Sequence, residues 1–266
     1  MWDHIIKNGA VVSGTDTQKA NIYIKDGKIA AITAEELPGE AKEVTDASGH
    51  YVLPGFIDTH VHSRDGRNGA HYKEDFYHSS MAGACGGITT IYEMPNCNPA
   101  VYNVEKMQDL FDVITPKAFV DFGVWGLCLG PLNNHELAAL DKAGVVGFKF
   151  FWGYAIDSKT YQLIYNYKEG MENVIPPLDV GQVYNIFREV AKTGKMVAIH
   201  AEDFDLIKTL TAEVKASGEK DYAAMLRSRA SYLRALAEAE KLPELSSDDL
   251  TAAPGLGQST AQVVHN

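Results

Sequence analysis

Five apolar, strand-like runs constrain the folding of this chain more than any other feature. They read "VLPGFIDTHVH", "GITTIYEMP", "AFVDFGVWGLCLG", "GVVGFKFFWGY" and "MVAIHAED". Between them lie amphipathic stretches such as "NVEKMQDLFDVI", "NNHELAALDKAG" and "DVGQVYNIFREVAKTG". Strand alternating with helix predicts parallel β/α units. Strands that are apolar nearly throughout predict a sheet covered on both faces. The polar residues gather at the C-terminal ends of the runs, the edge on which a β/α barrel builds its active site.

Ahead of these units, residues 1–53 predict a small, sandwich-type β element. "HIIKNGAVVSG" and "ANIYIKDGKIAAIT" are rich in β-branched residues, and Asp26-Gly27 sits where a tight hairpin turn belongs. A complete barrel takes about eight strands, and five are spent by about residue 201. The predicted α/β fold is therefore a TIM-type β/α barrel, incomplete after about five strands, spanning residues 54–241. It includes a helical region, "DYAAMLRSRASYLRALAEAEKL". Residues 242–266, Ser-, Ala-, Gly- and Pro-rich without a clear period, read as an irregular tail.

Composition removes some classes of function. The chain of 266 residues carries 24 Lys plus Arg against 35 Asp plus Glu, a net charge of −11. That balance disfavours nucleic acid and anionic membranes as partners, though not a small anion in a local basic pocket. No window approaches the roughly 18 uninterrupted apolar residues of a membrane span, and "MWDHIIKNGAVVSG" lacks the pattern of a secretory signal. Cys85, Cys97 and Cys128 form no CxxC pair and read as free thiols, so a cytoplasmic protein is expected.

Several strand ends carry groups that need a partner. In "PGFIDTHVHSRDG", His60 and His62 are two apart and project together from a strand. They are either half-exposed loop histidines or ligands of one metal ion, with Asp58 placed to orient one of them. Lys149 sits inside an otherwise apolar run, where a lone ammonium is costly. It calls for a carboxylate partner, a snorkelling side chain, or a neutral amine. His200 closes another run and is structural or a ligand. Asn96, in a segment that reads as a turn, could instead grip a carboxylate or imide oxygen together with Arg64, whose fork suits that task. Tyr154 is an oxyanion donor or an aromatic lid. His71 and His78 read as helix-face residues.

Taken together, these segments resemble the cyclic amidohydrolases, the group of dihydroorotases, hydantoinases, dihydropyrimidinases and allantoinases. "PGFIDTHVHSRDG" is similar to their opening signature, and "MPNCNP" to the dihydroorotase form of the second-strand motif. "GFKFFWGY" resembles the segment with the carbamylated lysine, its tyrosine placed as in hydantoinases, while "GVVGFK" is similar to allantoinase and "VAIHAED" to the next metal-histidine motif. The resemblance spans about residues 3–229.

It implies a metallo-hydrolase barrel with two divalent metal ions, usually zinc. His60 and His62 would hold the more buried ion, carbamylated Lys149 would bridge, and His200 would hold the second. A bridging hydroxide would open a small cyclic amide or ureide. Arg64 and Asn96 would bind a substrate carboxylate, and Tyr154 would stabilise the oxyanion. Relatives that form dimers or tetramers make a homo-oligomer the expectation by analogy. The family's sixth-strand histidine and eighth-strand catalytic aspartate have no counterpart here. His265 stands in the tail without a motif, and Asp248 and Asp249 fall in a polar loop. A truncation or frame shift is the expected cause, and an inactive fragment or pseudoenzyme of the same family is the alternative reading.

Overall fold

The computed structural model describes residues 1–70 and 72–228. The chain divides into two compact units, Met1–Ile57 with Gly87–Thr89, and Asp58–Gly86 with the chain from Thr90 onward.

The first unit is built on β1 (Trp2–Ser13), β2 (Asp16–Lys25), β3 (Lys28–Thr33), β4 (Ala41–Asp46) and β5 (Tyr51–Val52). Its sheet runs β3-β2-β1-β4, with β5 also paired to β1. The β2–β3 hairpin turns at Asp26-Gly27, with Lys25 opposite Lys28. Both turn residues have positive φ, 52° and 71°, the conformation of a type I′ turn that suits the twist of antiparallel strands. Val11, Ala20 and Ile22 form a small core against Ile6, Ile24 and Val52.

The five apolar runs supply the strands of the β/α region, with one subdivision. They become β6 (Phe56–Val61), β7 (Ile88–Glu93), β8 (Asp121–Val124) with β9 (Gly126–Leu127), β10 (Phe148–Trp152) and, further along, β14 (Val197–Ala201). "AFVDFGVWGLCLG" is two strands because the chain changes neighbours at Trp125. β8 pairs with β7, and β9 with β10. The Trp125 amide donates to Glu93 O at 3.0 Å, and its indole donates to Thr59 O at 3.1 Å. The ladders β6-β7-β8 and β9-β10-β14 thus share one chain segment. The β7–β8, β9–β10 and β10–β14 pairs are parallel, as the alternation predicts.

Helices α1 (Phe76–Cys85), α2 (Val104–Ile114), α3 (Leu137–Ala143), α4 (Val180–Ala191), α5 (Phe204–Ser217) and α6 (Tyr222–Ser228) occupy the intervening and following chain. Several starts are written locally. Asp75, Asn103 and Asp203 accept from a backbone amide three residues on, and Asp179 forms a capping box with Gln182. α4 buries Val183, Ile186 and Val190, the stripe its period requires. Among the described residues no helix is long and apolar enough to cross a membrane.

Two expectations are modified. Coverage of the strands on both faces holds for β10, whose first four residues are buried, but not for β6 and β14, which are largely exposed or half-exposed. These two strands end the described ladder, so each has a neighbour on one side only, and the ladder is open among the described residues. A small antiparallel sheet of β11 (Ala155–Asp157), β12 (Leu163–Ile164) and β13 (Val174–Ile175), ordered β12-β11-β13, also lies between β10 and α4. The expected helix after Asp221 is present as α6 up to Ser228. Its remainder, the tail with His265, Asp248 and Asp249, and His71 lie outside the described residues.

Candidate active site

The strand ends of β6, β7, β10 and β14 bring most of the expected residues to one place. His60 Nε2 lies 3.2 Å from His62 Nε2. Two nitrogens bound at about 2.0–2.1 Å to one tetrahedral ion stand about 3.3 Å apart, so this spacing fits a shared metal ion. Both rings favour the neutral form a metal requires. Burial, then the nearby Arg64 charge, pushes His62 down to about 4. Partial enclosure followed by the Lys149 charge lowers His60, although the residue as a whole is exposed. Asp58 has a different task from the one its spacing suggests, because its carboxylate accepts from the His60 backbone amide at 3.0 Å.

Lys149 is 2% exposed, and burial lowers its ammonium to about 8. No carboxylate among the described residues pairs with it, which removes the salt-bridge reading, and its burial removes snorkelling. The amine lies 5.1 Å from the centre of the Phe151 ring. Phe151 is registered opposite His200, and Lys149 opposite Ala198, so Lys149 and His200 project from the same face of adjacent strands. The charges of Lys149 and His200 both act on His60. His200 Nε2 also meets the Tyr154 hydroxyl at 3.1 Å and Glu202 Oε1 at 3.5 Å. Tyr154 packs against Tyr165 with ring centres 5.2 Å apart. The turn carrying Tyr154 is drawn against the end of β14. Gly153 has φ 93°, and a side chain there would overlap the Glu202 carbonyl.

The turn after β6 is held by two buried carboxylates. Glu93, 2% exposed, accepts from the Ser63 amide at 2.9 and 3.1 Å and from its hydroxyl at 2.8 Å. Burial, only partly offset by the Ser63 hydrogen bonds, pushes its carboxyl up to about 7. Asp65, 1% exposed, accepts from Gly66 and Phe76 amides and pairs with Lys117 Nζ at 2.7 Å. Burial raises the Asp65 carboxyl, but Lys117 and the two amides outweigh it and leave the net shift downward. Between the clamped residues Arg64 adopts φ 59°, a left-handed conformation costly for a side-chain-bearing residue. Arg64 lines a cavity of about 150 Å³ with Asn68, Lys73, Asn96, Asn98 and Gln162.

Glu93 was absent from the expected set. Its signal was the one that marks Lys149, a charged residue inside an apolar run. Asn96 carries a contact that its motif does not announce, His62 Nδ1 to Asn96 Oδ1 at 2.8 Å. His78 lies on α1 as expected, exposed, with Nδ1 on Asp75 Oδ1 at 2.8 Å. Glu74, Asp75 and His78 also approach within 4.8 Å of one another, but Asp75 is already engaged as the cap of α1. All three cysteines are free thiols.

His60 and His200 stand near the C-terminal ends of their strands, the edge on which β/α-barrel enzymes build their active sites, with Lys149 buried inside β10. The chain belongs to the amidohydrolase family, whose model matches residues 51–228. It is 34% identical over 224 residues to an L-hydantoinase of Paenarthrobacter aurescens, covering 84% of this chain and 45% of that protein. It is 36% identical over 228 residues to an allantoinase of Desulfitobacterium hafniense, covering 84% and 46%. Its structure is similar to that of the L-hydantoinase (dihydropyrimidinase) from Arthrobacter aurescens, with TM-score 0.72 and 33% identity over 92% of this chain and 51% of that one. The chain spans about half the length of the curated relatives it matches.

Proposed function

We propose that the chain carries the metal-binding half-site of a hydrolase that opens a cyclic amide or ureide ring of the hydantoin or allantoin type. The described strands then form part of a β/α barrel. The observation that carries the reading is Lys149, buried without a carboxylate partner among the described residues, near two histidines whose ring nitrogens are spaced for one ion. His60 and His62 would hold one divalent ion, zinc being the ion best suited to imidazole with an oxygen ligand. His200 would hold a second. The lowered ammonium makes neutral amine available; adding carbon dioxide with release of one proton, it would become a carbamate, an anionic oxygen ligand for the ions. When bound, such ions supply a nucleophilic water near neutral pH and polarise a carbonyl.

The remaining residues bind and orient. Arg64, fixed in its turn, offers a planar pair of donors to a carboxylate or imide oxygen of the ring. Asn96 lines the same cavity, and its amide N–H is suited to the same oxygen. Tyr154, whose hydroxyl lies 3.1 Å from His200 Nε2, would donate its phenol hydrogen to the carbonyl oxygen as negative charge develops there.

Elemental analysis of the chain, purified without chelator and supplied with zinc and bicarbonate, tests the proposal. About two zinc ions per chain, falling to one or none in Lys149→Ala, is the expected result. Full metal content in that variant would remove the bridging role. Turnover of hydantoin, allantoin and dihydroorotate then fixes the ring, and Arg64→Met should impair a carboxylated ring more than an uncharged one.

A further inference from the structure

The exit of β7 touches the His62 turn at two points. Glu93 grips the peptide that follows His62 through both carboxylate oxygens. Three residues on, Asn96 places Oδ1 2.8 Å from His62 Nδ1. An amide oxygen only accepts, so the imidazole nitrogen facing it must carry the hydrogen. In a neutral ring the other nitrogen, Nε2, is then the one with the free electron pair. That nitrogen points at His60 Nε2, 3.2 Å away.

The segment holding Asn96 is itself fixed. Cys97 is 2% exposed and donates through Sγ to Met94 O at 3.2 Å. Val101 N donates to Pro95 O at 3.0 Å, Asn68 N to Asn98 O at 2.9 Å, and Gln162 Nε2 to Cys97 O at 2.9 Å. The ring and the amide are thus fastened through one strand end, so neither moves without the other.

We propose that Asn96 is a positioning residue that sets the tautomer of His62 and presents its Nε2, unprotonated, to a metal ion shared with His60. This rests on the metal-site reading above and assigns Asn96 a role in addition to contact with substrate. The two roles use opposite ends of the amide. Positioning needs the oxygen as acceptor, whereas gripping a carboxylate needs the N–H as donor. Asn96→Asp keeps an acceptor and removes the donor, and Asn96→Ala removes both.

Two readouts on the 266-residue chain test the assignment. The first is the 15N shift pattern of the His62 ring in metal-free protein labelled at histidine. The second is zinc affinity measured by competition with a chromophoric chelator. The expected wild-type pattern is a protonated Nδ1 and a bare Nε2. In Asn96→Ala the ring should become a mixture of tautomers, and zinc affinity should fall about 10- to 100-fold. Asn96→Asp should retain the wild-type tautomer and bind zinc within about threefold of wild type, while losing any preference for a carboxylated ring. A wild-type ring protonated at Nε2, or an Asn96→Ala protein with unchanged tautomer and unchanged zinc affinity, would overturn the proposal. The wild-type spectrum decides even if a variant does not fold. A wild-type ring protonated at Nδ1 in a chain that binds no zinc would uphold the Asn96 assignment and sink the metal-site reading, so the two failures are separable.

Discussion

Phe150 and Ile199 stand opposite each other on β10 and β14, yet Phe150 is 0% exposed and Ile199 38%. Both strands come from short apolar runs, and both carry a residue of the candidate site, Lys149 on β10 and His200 on β14. Their difference is position. β10 has β9 on one side and β14 on the other, and the Phe150 ring meets Phe187 of α4 at 5.9 Å between centres. β14 has a paired neighbour on one side only among the described residues. Apolar content therefore marks a strand, while rank in the ladder decides how much that strand stabilises the fold.

The comparison is sharpest in unfolding experiments. Phe150→Ala should cost about 4 kcal/mol in urea denaturation, because the cavity it leaves is enclosed, while Ile199→Ala should cost about 1 kcal/mol or less. Equal losses would mean that both strands are equally buried in solution.

Next in size is the pH response of Glu93, at the buried end of β7. Its folded carboxyl, near 7 against an ordinary 4.5, keeps a proton that the unfolded chain has already released. The stabilisation is complete below about pH 4.5 and is lost as pH rises through about 7, roughly 3 kcal/mol in all. Glu93→Gln should flatten that slope, and an unchanged slope would assign it to other groups.

Smaller again is the contrast between two ion pairs. Asp65→Asn leaves Lys117 without its buried partner and should cost about 2 kcal/mol, reduced from a fully buried pair because Lys117 is one-third exposed. Lys192→Ala, which breaks a solvent-facing pair with Glu189, should cost less than about 0.5 kcal/mol. A reversed order would show that the Gly66 amide contact, which the single amide oxygen of Asn can keep, carries most of the hold on the turn.

Much of this arrangement was legible before any coordinates. The hairpin at Asp26-Gly27 and the strand–helix alternation follow from local chemistry. His60, His62, Lys149 and His200 were visible because each is polar at the end of, or inside, an apolar run. Other features depend on chain segments far apart in sequence. The break at Trp125 exists because that residue reaches Thr59 and Glu93. The contact of Asn96 with His62 crosses 34 residues. β11, β12 and β13 are only two or three residues long, too short for any period to register. Glu93 carried the same signal as Lys149, but its partner Ser63, met through both amide and hydroxyl, lies 30 residues away in the sequence.

The Gly153 turn has a consequence for how this scaffold can diversify. Because no side chain fits between that turn and the Glu202 carbonyl, single substitutions at position 153 force the exits of β10 and β14 apart, and Tyr154 moves off His200 with them. Side chains at positions 64, 96 or 154 can be exchanged without altering that backbone approach. The spacing between the two exits is closed to gradual change: a variant reaches a different spacing only by rebuilding both turns together.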